Sequence, residues 1–152
     1  MKTYVQEVVK PDLPGVILLS HGPFAVALVE TAKMVFGESE NVAAFSFEEG
    51  DDADQYRMTV AETLERFPEG SIVILDLFGG TPCNQMLRYV QETGKVIEIV
   101  AGMNLPMLVS TLLERENSFG KELGNGAAAN GKEGVVRIDV EGFLSDDDED
   151  FE

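Results

Sequence analysis

The chain has no tryptophan, a single cysteine, a single histidine and few cations. Each shortage excludes something. With Cys83 alone, neither an intramolecular disulfide nor a cysteine-based metal cluster can form. With His21 alone, multi-histidine zinc sites are excluded, and so is any mechanism needing two histidines in one chain. No run of about 18 or more apolar residues occurs, so no membrane span is expected. The first residues, MKTYVQEVVKPDLP, lack the apolar core of a secretory signal. Eleven Lys and Arg face 28 Asp and Glu, for a formal charge of -17. That balance leaves nothing to neutralise phosphates and argues against a nucleic-acid partner. At 152 residues the chain suits one domain. The expectation is a soluble protein of a reducing compartment, in the cytoplasm.

The acid is unevenly spread. Six of the seven residues 146–152 are acidic, and without them 11 basic residues still face 22 acidic ones, leaving -11. The tail reads as a solvated end, with a docking or linker role as the alternative. Residues 1–14, with Pro11 and Pro14, read as an extension that packs loosely or adds an extra edge.

What is present is a repeating pattern. Short apolar runs occur at 15–20 (GVILLS), 41–47 (NVAAFSF), 71–76 (SIVILD) and 96–101 (VIEIVA). Runs of this length suit strands buried on both faces of a parallel sheet. Between them lie apolar stripes at helical spacing: Phe24, Leu28, Ala32 and Val35; then Ala53, Tyr56, Val60, Leu64 and Phe67. Cys83, Met86, Leu87 and Val90, then Leu105, Leu108, Val109 and Leu112, continue it. Gly37 and Gly94 are natural helix stops. The alternation predicts an α/β fold, an open parallel sheet of four strands with helices on both faces. Residues 117–134, rich in glycine and asparagine, read as a long irregular connection. Residues 135–140 (VVRIDV) alternate as a one-side-buried edge strand. So long a link needs a reason. One reason would be a last strand that crosses to a neighbouring subunit of a homodimer.

In such sheets ligands bind beyond the carboxyl ends of the strands. The only histidine, His21, stands at the first of these ends. Asp76 closes the third run, where an unpaired carboxylate is costly to bury, so it wants a partner such as an imidazole N–H. A carboxylate holding one ring nitrogen fixes the tautomer and leaves the other free to attack. Gly79 and Gly80 allow close backbone approach to a ligand. Thr81 suits a helix N-cap and Pro82 a first helical position. The loop then offers amide N–H groups at a helix start, a ready anion site. A bland reading, a tight turn into a capped helix, stays open for the loop alone. One nucleophilic imidazole, one carboxylate and a cradle of amides suit transient phosphorylation of histidine. Neither a Walker-type glycine loop nor a G-x-G-x-x-G motif is present, so nucleotide binding has no support. Glu48, Glu49, Asp51 and Asp52 form either a solvated helix entry or a metal-assisted hydrolytic cluster. Cys83, just inside a helix start, reads as a packing residue.

Three segments carry a resemblance: VILLSHGPFAVALVETAKMVFG, DLFGGTPCNQ and AGMNLPML, in order, over roughly residues 15–140. The chain resembles the IIA component of the mannose family of the bacterial sugar phosphotransferase system. The resemblance implies an open, mostly parallel sheet whose last, antiparallel strand is exchanged in a homodimer. It implies that His21 accepts phosphate from the histidine-containing phosphocarrier protein and passes it to a IIB partner on a separate chain, acting indirectly with membrane IIC and IID components. It implies that Asp76 pairs with His21 and that Gly79, Gly80 and Thr81 lie on the phosphate-holding loop, with no metal and no cofactor. The domain would span 15–145. Two features depart from the usual pattern, Thr81 where serine is common and Cys83 where an aromatic is common. The alternatives are the phosphocarrier subunit of a dihydroxyacetone kinase and a non-catalytic sensor of phosphorylation state.

Overall fold

The structure, a computed structural model, describes residues 1–146; residues 147–152, most of the acidic tail, lie outside the described residues. Strand β1 (Lys2–Tyr4) comes first, then β2 (Val16–His21), α1 (Phe24–Phe36), β3 (Val42–Phe47) and α2 (Ala53–Arg66). Next come β4 (Ile72–Leu75), α3 (Gly80–Thr93), β5 (Glu98–Ala101), α4 (Leu105–Glu114), α5 (Gly120–Glu133) and α6 (Val140–Ser145). The sheet order is β1-β3-β2-β4-β5. The four expected strands run parallel, with Val16 level with both Val42 and Ile72, and Ile72 level with Glu98.

Successive strand residues enter opposite cores, as a pleated strand requires. Val16, Leu18, Ile72 and Ile74 pack on one face with Leu28 of α1, Leu108 of α4 and Leu123 of α5. Ile17, Leu19, Val73 and Leu75 pack on the other with Tyr56 and Val60 of α2 and Met86 of α3. Both faces are covered, which is why these strands read as unbroken apolar runs. Helix signals also landed. Asp52 Oδ1 accepts from Gln55 N, capping α2, and Asn104 Oδ1 accepts from Met107 N, capping α4, both at 2.9 Å. Gly94 ends α3 in the left-handed conformation, φ 69°.

Three expectations need correction. The sheet has five strands, not four, because β1 pairs antiparallel with β3; of the two readings of residues 1–14 this is the extra edge. The amino-terminal residues are firmly tied rather than loosely packed. The buried Asn41 accepts from Lys10 N at 2.9 Å and donates to Lys10 O at 2.8 Å and Leu13 O at 2.6 Å. Arg115, also buried, donates to Pro14 O and Asn41 O.

Second, residues 117–134 are mostly helix α5, not an irregular link. Leu123, Ala127 and Gly131 recur at i, i+4 and i+8 and form its buried face. The glycines serve closeness rather than flexibility. A Cβ on Gly131 would stand 2.5 Å from Met107 Cε, and one on Gly124 would run into the Glu98 side chain. Third, residues 135–140 are not a strand in this chain. They are exposed, and Val140 begins the short helix α6. Local alternation fits a strand, but a strand needs a neighbour to pair with. The order of the sheet leaves β5 at one edge with no further strand among the described residues.

Candidate functional site

His21 is the last residue of β2, level with Phe47 of β3. After it the chain turns sharply: Gly22 has φ +60° and donates to Phe47 O at 2.8 Å. Ser20 fixes this elbow from beneath. Its fully buried hydroxyl donates to Gly22 O at 3.1 Å and accepts from Ala25 N, in the first turn of α1, at 2.7 Å. Sequence reasoning placed Ser20 at the strand exit but assigned it no role. The available signal was a serine five residues before a first-turn amide that has only Pro23 at the helix cap position.

Asp76 follows β4 directly and meets His21 across the β2–β4 seam. His21 Nδ1 lies 2.9 Å from Asp76 Oδ2, and the same oxygen accepts the His21 backbone N–H at 2.9 Å. Asp76 Oδ1 accepts from Leu77 N at 2.9 Å, and Asp76 N donates to Leu19 O at 3.0 Å. The carboxylate is thus held from three sides, with its side chain 10% exposed against 44% for the imidazole. A carboxylate only accepts, so the proton of the neutral imidazole belongs on Nδ1 and the lone pair on Nε2. The pairing expected of His21 and Asp76 is therefore present in the structure.

Nε2 faces the loop before α3. A Cβ on Gly80 would stand 2.8 Å from Nε2 and 2.7 Å from Cε1, so only glycine fits against the ring. Gly79 and Gly80 have φ +88° and +77°, values that also favour glycine. Helix α3 starts two residues earlier than the sequence suggested. Gly79 is the cap, Gly80 the first helical residue, and Thr81 and Pro82 are already inside the first turn. A glycine cap supplies no side chain, so the first amides of α3 carry no side-chain acceptor. Together with the helix dipole they make an anion-receptive surface beside Nε2.

Other candidates separate from this centre. Asp52 caps α2, and Asp51 Oδ2 accepts from Glu48 N at 2.8 Å, an interaction that holds the Asp51 carboxyl below its usual range. These two are helix-entry groups, and the described residues contain no cluster of three or more potential metal ligands. Cys83 is buried in the α2–α3 core. Asn104 is spent on capping α4 and on donating to Gly131 O of α5 at 2.9 Å, so the MNLP segment is structural. Tyr56 lies beneath the site. Its hydroxyl donates to Phe45 O at 2.7 Å, its ring meets Phe47 edge-on at 5.2 Å, and burial, followed by the charges of Asp76 and Asp51, pushes its pKa up. No described helix is long and apolar enough to cross a membrane.

Residues 15–127 match the family EIIA-man, described as PTS system fructose IIA component. The chain is 35% identical over 117 residues to the PTS system fructose-specific EIIA component of Bacillus subtilis, covering 76% of this chain and 80% of that one. It is 36% identical over 128 residues to the PTS system mannose-specific EIIAB component of Escherichia coli K12, covering 82% of this chain but 39% of that longer protein. Among solved structures, a phosphotransferase system component EIIA from Streptococcus agalactiae superposes with a TM-score of 0.76 at 28% identity, over 82% of this chain and 97% of that one. The mannose/sorbose specific IIA subunit from Enterococcus faecalis superposes with a TM-score of 0.72 at 29% identity, over 84% and 96%.

Proposed function

The chain belongs to the family of PTS system fructose IIA components, and on that premise we propose that His21 takes a phosphoryl group from the histidine-containing phosphocarrier protein and hands it to a IIB partner during sugar uptake. The observation that carries this reading is the His21–Asp76 pair, 2.9 Å apart, with Nε2 turned to the uncapped start of α3. The Nε2 lone pair attacks phosphorus in line. The new N–P bond forms as the N–P bond to the donor's histidine breaks, and the donor's imidazole leaves with that electron pair. The phosphorylated ring keeps its Nδ1 proton and gains positive character, which Asp76 compensates. The backbone of Gly79, Gly80 and Thr81 meets the phosphoryl oxygens. Positioning and preorganised dipoles account for the acceleration. Transfer to IIB is the same step reversed, and the membrane IIC and IID components act downstream. The setting is the cytoplasm.

The same reading makes the protein a homodimer. Residues 135–140 of one copy add to the open edge of β5 in the other, which gives the exposed alternating segment and the unpaired edge one partner each.

The test is transfer from a phosphorylated carrier protein. The parent chain takes an acid-labile label that maps to His21, and His21→Ala takes none. Normal labelling of His21→Ala at an acid-labile site overturns the assignment.

A further inference from the structure

Opposite the His21 edge, beneath the amino-terminal ends of β4 and β5, lies a groove of about 1220 Å³. Its apolar wall includes Pro68, Tyr89, Val96, Ile97 and Phe119. Val96, just before β5, is 98% exposed, and Phe119, at the entry to α5, is 68% exposed. The rim mixes Lys95 and Lys121 with Glu65, Glu69, Glu98 and Glu116, which favours neither a strongly anionic nor a strongly cationic ligand.

We infer that this groove receives the apolar face of α6 from a second copy of the chain. The inference rests on the proposed pairing of residues 135–140 with β5. The direction of the chain argues for it. Helix α5 ends at the carboxyl edge of the sheet, where Gly134 abuts Pro106 in the first turn of α4. From there an antiparallel addition to β5 runs toward β5's amino end. Six residues of strand cover about 20 Å, whereas the four of β5 cover about 13 Å. The added strand therefore passes the start of β5 at residue 140, where Val96 and the groove begin. Helix α6 starts at Val140 with no intervening linker.

The helix suits that position. Val140, Phe143 and Leu144 stand at i, i+3 and i+4 and share one face, with Val140 57% and Leu144 75% exposed. A groove with exposed apolar walls and a helix turn with exposed apolar residues are thus brought together by one strand addition. The exchange is reciprocal, each copy giving its α6 to the copy whose α6 it takes, so the contact is isologous and the assembly closes at two.

The test mixes two variant chains, Phe119→Cys and Leu144→Cys, and treats the refolded mixture with a short bismaleimide. Residue Cys83 is buried and common to both. The expected result is a cross-link joining the two different chains, together with at least a tenfold weaker dimer for Leu144→Asp by light scattering. A dimer that yields no such cross-link, and whose association is unchanged by Leu144→Asp, overturns the groove contact and leaves the strand exchange standing. A chain carrying both cysteines that links only within itself overturns the second copy as occupant. A parent chain that is monomeric at micromolar concentration overturns both the groove contact and the proposed dimer.

Discussion

One carboxylate oxygen of Asp76 accepts both the backbone N–H and the Nδ1–H of His21, each at 2.9 Å. The strand end and the ring are therefore held on the same atom, and the ring cannot swing without giving up its own Nδ1–H bond to it. This arrangement sets where Nε2 points before any partner arrives.

Asp76→Asn tests that coupling. With its amide oxygen in the place of Oδ2 the asparagine still accepts both N–H groups of His21 and gives up only the bond from Leu77 N, so docking to the phosphocarrier should change little. The negative charge that compensates a phosphorylated imidazole is gone. Transfer in a single turnover should slow by roughly 100-fold, with the carrier's dissociation constant shifted by less than about threefold. Unchanged transfer rates would remove Asp76 from the mechanism.

Gly80→Ala tests the other side of the ring. The new methyl would meet His21 Nε2 at 2.8 Å in a backbone with φ +77°. Strain of about 1–3 kcal/mol is expected from the backbone alone, and the ring must turn off Asp76 or the loop must retreat. Phosphoryl uptake should drop by more than tenfold, while the melting temperature falls by only about 2–10 °C. Gly79→Ala meets nothing within 4 Å and carries only the backbone cost. It should lose less transfer than Gly80→Ala, and the difference between the two variants separates ring displacement from backbone strain at the phosphate loop.

The His21–Asp76 pairing was legible because groups able to pair are scarce at the strand exits. One histidine at a strand exit and one aspartate closing an apolar strand left little choice, and the sheet topology puts those two exits side by side. The carboxyl-terminal third was misread for two physical reasons. Glycine in α5 makes room for Glu98 and Met107 instead of loosening the chain, so composition pointed to a loop while the Leu123–Ala127–Gly131 spacing pointed to a helix. The alternation in 135–140 describes a face to be buried, and no strand among the described residues covers it. Pairing is decided by neighbours that a local pattern does not specify. Thr81 and Pro82 were misplaced by two residues because Gly79 and Gly80, both at positive φ, begin the helix before the residues that usually mark such a start.

Tyr56 contributes to the alkaline pH dependence of stability. Its phenol is buried against Phe45 O, and burial first, then the charges of Asp76 and Asp51, raise its pKa above the ordinary 10.0. Below pH 10 folded and unfolded chains both hold this proton, so Tyr56 adds no slope. Above it the unfolded chain releases a proton that the folded chain keeps, so stability falls as pH rises. The difference in absorbance near 295 nm between the parent and Tyr56→Phe should therefore show Tyr56 ionising only as the fold is lost, and denaturant midpoints of the parent should decline from about pH 10 upward. Tyr56→Phe removes the titrating group together with its bond to Phe45 O, so it should be less stable at neutral pH yet show a shallower alkaline decline. An equally steep decline in that variant would place the sensitive group elsewhere. The phenol neither touches His21 nor ionises in the working range, so phosphoryl transfer by Tyr56→Phe at pH 7 should stay within about threefold of the parent. That separates its part in supporting the floor of the site from the chemistry carried by Nε2.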